Sequence, residues 1–290
     1  MSAAAREESV PVALAVGLPI ARSRGRGRSS SAALALATVL LGLWYAGAGL
    51  LKAVDDPVAD SKLPYPHLVV ERFFSDFDRV SSAAWTSLSM ALLGFLIGSI
   101  VGLLFGVLLT QAPWTEAAFM PYLLSMQMIP IIALVPLAQS VLKSDVTSRL
   151  FIAAFVTILP VTLGAVRGLR SAPEEARELM ASYDAGRLAT LRLLLLPNAV
   201  PLFFTGLRIA APLSLLGAVL VDLMGGSNGL GQLILAAQLY GPTHGVLVWV
   251  AVVVLIILGV LFAQAIGLLE RLVAPWETAR LAATQRGEGS

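Results

Sequence analysis

The chain has 290 residues, 57% of them hydrophobic and only 13% charged, against about 25% charged in a soluble domain. That balance belongs to a membrane protein, and a formal net charge of +2 says less than where the charges fall. There is no cysteine and there are two histidines, which excludes disulfides, a thiolate nucleophile and a Cys-ligated metal.

Residues 1–31 read as a basic tail, with Arg22, Arg24, Arg26 and Arg28 directly before the first apolar run, Ala32–Leu51. A signal peptide has its basic residues ahead of the mildly apolar stretch, and here they follow it. The apolar run, residues 32–51, suffices for ~30 Å of hydrocarbon, and the arginines predict a cytoplasmic tail. Residues 52–83 are polar and acid-leaning and read as external, with a short amphipathic surface helix over His67–Val80. Apolar runs then cover Ala84–Gln111, Phe119–Leu142, Leu150–Val166, Ala199–Met224 and Val246–Leu269, giving six predicted spans in all and both termini on one side. Thirteen Lys and Arg fall with the tail, the central stretch and residues 271–290. Six fall opposite: Lys52, Lys62, Arg72, Arg79, Lys143 and Arg149. The asymmetry puts the central stretch and both tails in the cytoplasm.

Within the spans, Gly94, Gly98, Gly102 and Gly106 recur at every fourth residue, a small-residue stripe best read as tight packing inside the subunit. The third span carries Pro130 and Pro136 at mid-depth, with Gln127 and Gln139 nearby. Proline frees carbonyls that lipid cannot satisfy, so such a helix faces either protein or a watery path. A kinked packing helix and a pathway lining are the two readings. Arg208 lies inside the fifth span and reads as snorkelling to the interface; Asp222 reads as sitting at the outer boundary.

The central stretch, 171–198, is charged where its flanks are apolar. Leu179, Met180 and Tyr183 share one face of a helix. Asp184-Ala185-Gly186 marks a turn, a second helix runs from Arg187 to about Leu196, and Pro197 ends it or starts the next element. A plain connector between helices needs two to eight residues, and this one exposes apolar side chains with no evident partner.

The same stretch resembles the cytoplasmic loop of permease subunits of type I ABC importers. That pattern runs Glu-Ala-Ala, three residues, Gly, and later Leu-Pro. Glu178 takes the Glu position, Leu179-Met180 replace the two Ala, Asp184 replaces the Gly, and Leu196-Pro197 complete it. The third span is similar to the family's IPxIAxxPL run, and residues 198–210 resemble the branch that imports nitrate, taurine, sulfonates and pyrimidine-type precursors. The resemblance covers about residues 81–270. It implies an all-α integral membrane fold: a MetI-like core preceded by one extra N-terminal span, in a bacterial inner membrane. It implies coupling to ATPase subunits through Glu178, Leu179, Met180, Tyr183, Asp184, Gly186, Arg187, Leu196 and Pro197. It also implies an external substrate-binding protein and a second permease subunit, most simply a copy of this chain. Gln127, Pro130, Pro136 and Gln139 are the candidate path residues. Gly186 is expected to need a positive φ if it sets the turn.

No Gly-Lys dipeptide is present, so no phosphate-cradling P-loop exists here. ATP and Mg are expected on the partner, with no cofactor, catalytic residue, metal or nucleic acid on this chain. An ion-coupled secondary transporter would show acidic or His residues at mid-span, which are missing. An intramembrane enzyme lacks its nucleophile or metal set. A non-transporting scaffold would not need a proline-broken span.

Overall fold

The computed structural model describes residues 26–54, 58–241 and 244–275; most of the basic tail and the C-terminal tail past 275 lie outside the described residues. All regular elements among the described residues are helices. Helix α1 (Arg26–Ala53) has 28 residues, about 42 Å at 1.5 Å per residue. It touches the body near its C-terminal end, where Trp44 Nε1 donates to the Pro64 carbonyl at 2.9 Å and its ring meets Trp249 at 5.7 Å.

Helices α2 (Ala59–Lys62) and α3 (Pro66–Ser75) follow. Pro66 starts α3 because a proline in the first turn gives up no hydrogen bond. Val69 is buried while Val70 and Phe74 are exposed, so α3 is amphipathic as expected. It stops at Ser75, short of Val80, because the backbone turns at Asp76 (φ −109°, ψ 25°) before α4 (Phe77–Gln111) begins.

The third predicted span is not one helix. Helix α5 (Pro113–Met126) and helix α6 (Ile131–Leu142) meet at a 93° bend. Pro130 lacks an N–H and forces the residue before it out of the helical region, so the helix breaks at 127–130. Helix α7 (Asp145–Arg170) comes next. It runs parallel to α4: Gly94 lies against Ala153, Gly98 against Ala154 and Thr157, and Gly106 against Ala165. Parallel neighbours need a return between them. The broken α5–α6 pair therefore carries the chain back across, and the six-crossing count stands with one crossing in two pieces.

The glycine stripe is packing within the subunit, as its spacing suggested. A Cβ on Gly98 would lie 2.5 Å from the Ala154 carbonyl oxygen, and one on Gly106 2.4 Å from the Ala165 Cβ. The other side of α7 meets helix α10 (Leu196–Leu223) in the same way, where a Cβ on Gly168 would sit 2.6 Å from the Ala199 oxygen and one on Gly206 2.6 Å from the Pro160 oxygen. Backbones in direct contact make α4, α7 and α10 one rigid slab.

Helix α8 (Glu174–Ser182) and helix α9 (Arg187–Thr190) occupy the central stretch. Pro197 does not end the second helix; it falls in the first turn of α10, the second of the two readings. A π-helical turn at Leu191–Leu195 joins α9 to α10 without interruption, with the Leu196 N–H bonded to the Leu191 carbonyl. The wider turn makes room for a proline ring that would clash in an α-helix. Asn198 Nδ2 donates to the Leu194 carbonyl at 2.8 Å and holds the widened turn. Helix α11 (Leu230–Leu239), too short to cross, was not visible as a span, and helix α12 (Gly245–Val273) is the last. α12 runs antiparallel to α10, so Val273 ends beside Arg192 and Leu196, at the end of the molecule that carries α8.

Candidate functional site

The central stretch is a rigid bracket. At its start, Ser171 Oγ donates to the Gly168 carbonyl at 2.7 Å and the Asn198 carbonyl at 3.2 Å, tying the loop to α7 and α10. Arg177 Nη2 donates to the Leu169 carbonyl at 3.3 Å, placing a cation at the C-terminus of α7, where the helix dipole favours it. Arg170 reaches Glu116 at the start of α5 with two hydrogen bonds, 3.1 and 2.5 Å. The sequence had offered Arg177 only as one charge among several; its partner lies eight residues back, across a turn.

Helix α8 ends in a Schellman motif. The Ala185 N–H bonds to the Met180 carbonyl and the Asp184 N–H to the Ala181 carbonyl, both at 3.0 Å, while Asp184 takes φ 52°. So the left-handed position falls on Asp184, which stands where the family pattern has Gly. Gly186 has φ −60° and ψ 158°, the extended geometry of the residue before α9. The expectation of a positive φ at Gly186 is corrected, and its backbone would admit a proline. A left-handed residue with a Cβ costs about 1–2 kcal/mol, which Asp offsets in part through its short polar side chain. Asp184→Gly is therefore expected to keep or raise thermal stability, and Asp184→Val to lower it by about 1–2 kcal/mol with weaker partner binding; paired melting curves check this.

The bracket presents its apolar side chains outward. No residue of α8 is buried; Leu179 is 56% exposed and Tyr183 77%. Met180 is half-buried, and Glu178 and Arg187 are exposed. Leu188 and Leu193 are exposed as well, two apolar side chains that the sequence reading did not single out. Leu196 and Pro197 line an apolar cavity of about 480 Å³ with Phe203, Phe204 and Val273, and Arg192 stands among them. The structure thus brings Glu178 through Arg187 together on one projecting element, with Leu196-Pro197 at its root.

The four candidate path residues divide. Gln127 lies at the break and lines a cavity of about 260 Å³ with Pro160, Arg167, Leu202, Thr205 and Ile209 from α7 and α10. Pro130 is exposed as the residue before α6. Pro136 is exposed on α6, whereas Gln139 is half-buried one turn after Val135, which with Ala138 is buried against Ile152 and Val221. Arg167 and Thr205 were not singled out in the sequence; only the folding of α5 against α7 and α10 puts them beside Gln127.

Two charges differ from expectation. Arg208 is not simply snorkelling, since its guanidinium pairs with Glu270 of α12. Asp222 does sit in the last turn of α10, at the end opposite α8, but it is fully buried, and Arg149, counted above with the external charges, is 3% exposed. Arg149 Nε faces Asp222 Oδ1 at 2.6 Å, Ser87 Oγ donates to Asp222 Oδ2 at 2.6 Å, and Arg149 Nη2 donates to the Asn228 carbonyl at 2.6 Å. The Leu230 N–H completes the knot on Ser87 Oγ at 2.9 Å. It ties α4, α7 and α10 to the loop before α11 at the end opposite α8. Among the described residues no three His, Asp or Glu side chains cluster as a metal site.

A slab of membrane-spanning helices, one crossing broken in two and a helical bracket projecting at one end define a multi-pass α-helical membrane protein. Residues 82–275 match the family described as binding-protein-dependent transport system inner membrane component. The riboflavin transport system permease protein RibX of Chloroflexus aurantiacus is 34% identical over 82% of this chain and 87% of its own length. The formylaminopyrimidine transport permease protein ThiX of Halalkalibacterium halodurans is 30% identical over 74% and 85%. The nitrate import permease protein NrtB of Synechocystis is 28% identical over 82% and 87%. In three dimensions the fold matches a chain of the inward-facing MetNI methionine ABC transporter with a TM-score of 0.60 at 19% identity, covering 69% of this chain and 98% of that one. The chain belongs to the binding-protein-dependent transport system inner membrane family: it is a permease subunit of an ABC importer. It is a multi-pass inner-membrane protein without an ATPase site of its own, and the family implies an ATPase and a binding protein as partners.

Proposed function

We propose that the bracket of residues 171–198 faces the cytoplasm and docks the ATPase. Leu179, Met180 and Tyr183 are the apolar anchors, Glu178 and Arg187 form the charged rim, and Asp184 with Gly186 sets the angle between the helices. The observation that carries this is the outward display of Leu179 and Tyr183 on a helix tethered to both α7 and α10. Helix-in-groove docking needs such anchors on a preorganised element. Pulling on the bracket moves α7 and α10 together, because their backbones touch. ATP and Mg then belong to the partner, and this chain binds no cofactor. In this reading the start of α1 and the end of α12 both face the cytoplasm, α12 finishing at the bracket end. Thiol labelling tests the orientation on a chain without native cysteine: Ser75→Cys and Ser227→Cys should react with an impermeant reagent from outside intact cells, and Ser182→Cys should not. Labelling of Ser182→Cys from outside would overturn the topology.

The path runs along the open face of α5, α6 and α10, against a second permease that is most simply a copy of this chain. Gln127 in its cavity beside Thr205 and Arg167 supports this, with Pro130, Pro136 and Gln139 continuing along α6. An external binding protein delivers a small organic solute. The riboflavin and formylaminopyrimidine names of relatives favour a heteroaromatic precursor, with sulfonate, taurine or nitrate as the second reading. Gln127→Leu should cut uptake about tenfold, the loss expected when one polar contact worth about 1.4 kcal/mol disappears, while ATPase association stays intact. Wild-type uptake by Gln127→Leu and Pro130→Ala together would make this crossing a packing element.

A further inference from the structure

A groove runs along the outer surface between α10 and α12. Its upper part, about 380 Å³, is apolar, lined by residues such as Pro212, Leu216, Leu255 and Gly259. Val260 and Ala263 carry it into a lower part of about 500 Å³ that ends at Arg208, Gln264 and Arg271. The glycines here behave unlike those of the α4–α7–α10 slab. A Cβ on Gly259 would find its nearest neighbour at 3.7 Å, so this glycine opens space and is not needed for close helix contact. Gly267 makes room for a guanidinium, since its Cβ would lie 2.9 Å from Arg208 Nη2.

The polar end sits at the bracket end of the molecule, two residues before α12 finishes at Val273. Glu270 takes one guanidinium charge through its pair with Arg208, leaving the site a net single positive charge with Arg271 exposed. A single positive charge at the interface, with an apolar trough running from it toward the bilayer centre, fits a headgroup of one negative charge with its acyl chain. Basic pockets between membrane helices recognise anionic lipid in this manner. We propose that this groove binds one anionic phospholipid of the leaflet at the bracket end, its phosphate on Arg271 and Arg208 and an acyl chain along Gly259.

The test uses the full chain purified in detergent and titrated with phosphatidylglycerol or phosphatidylcholine, with bound lipid counted by native mass spectrometry. Phosphatidylglycerol is expected to bind more tightly. Arg271→Gln should weaken it about fivefold, the change that corresponds to one interfacial basic residue worth about 1 kcal/mol. Gly259→Leu, which fills the trough and leaves every charge in place, should abolish its retention; unchanged melting curves for both variants show that the fold is intact. Equal binding of the two lipids, or retention of phosphatidylglycerol by both variants, overturns the proposal. So does efficient thiol cross-linking of Gly259→Cys between two copies of the chain in membranes, which would put a neighbouring helix in the groove.

Discussion

Replacing Arg149 by Met will destabilise the permease by about 3–5 kcal/mol, the range found when one partner of a buried ion pair is removed. Asp222 has no exposure to water, and Arg149 supplies its nearest cation at 2.6 Å. Without it the carboxylate keeps only neutral donors such as Ser87, which cannot offset the desolvation of a full charge. The Asn228 carbonyl loses its donor as well, so the loop before α11 loses one of its ties while Ser227 N–H stays on Asp145 and Leu230 N–H on Ser87. Because folded proteins are stable by only about 5–15 kcal/mol, the single variant should melt far lower in detergent or fail to accumulate. Arg149→Met combined with Asp222→Leu should recover most of the loss, since no charge is then left buried. Thermal unfolding of the two variants decides the matter; a single variant that melts like wild type would mean that water reaches the pair.

The second large effect is expected on the bracket. An aromatic or aliphatic anchor at the centre of an interface is worth about 2 kcal/mol or more, so Tyr183→Ala should weaken ATPase binding about thirtyfold. Leu179→Ala should act in the same direction and by a similar amount. Neither side chain has packing to lose within the subunit, since both are exposed, and melting of the isolated subunit should therefore hardly change. That contrast separates a docking role from a structural one. Uptake should fall together with ATPase association, while docking of the binding protein at the opposite end persists.

Much of this molecule could be read from its sequence because membrane spans announce themselves by run length. Five continuous crossings and the glycine stripe follow from apolar length and a four-residue period. The charge break at 171–198 marked the bracket, and the Glu178-to-Pro197 spacing marked the family. What escaped the reading depends on contacts between distant residues. The prolines of the third span signalled a break, but not a 93° bend at 127–130. Pro197 was legible as a helix end or a helix start, but the π-helical turn that runs α9 into α10 ahead of it leaves no mark in the sequence. Arg149 was counted with the external charges and Asp222 read separately at the outer boundary of its span, since an ion pair 73 positions apart leaves no local pattern. Thr205 and Arg167 join Gln127 only after α5 folds onto α7 and α10. Asp184 was legible as a turn residue, yet which of Asp184 and Gly186 is left-handed was settled by backbone hydrogen bonds.

Driving through the projecting face of α8 can be measured by co-purifying the ATPase with the Leu179→Ala/Tyr183→Ala variant and following substrate-stimulated ATP hydrolysis on the same sample. The ATPase should be lost from the complex and stimulated hydrolysis should fall to the basal rate, while the variant still melts like wild type. Full retention of the ATPase together with normal stimulated hydrolysis would contradict it, and would reduce the bracket to a connector between α7 and α10.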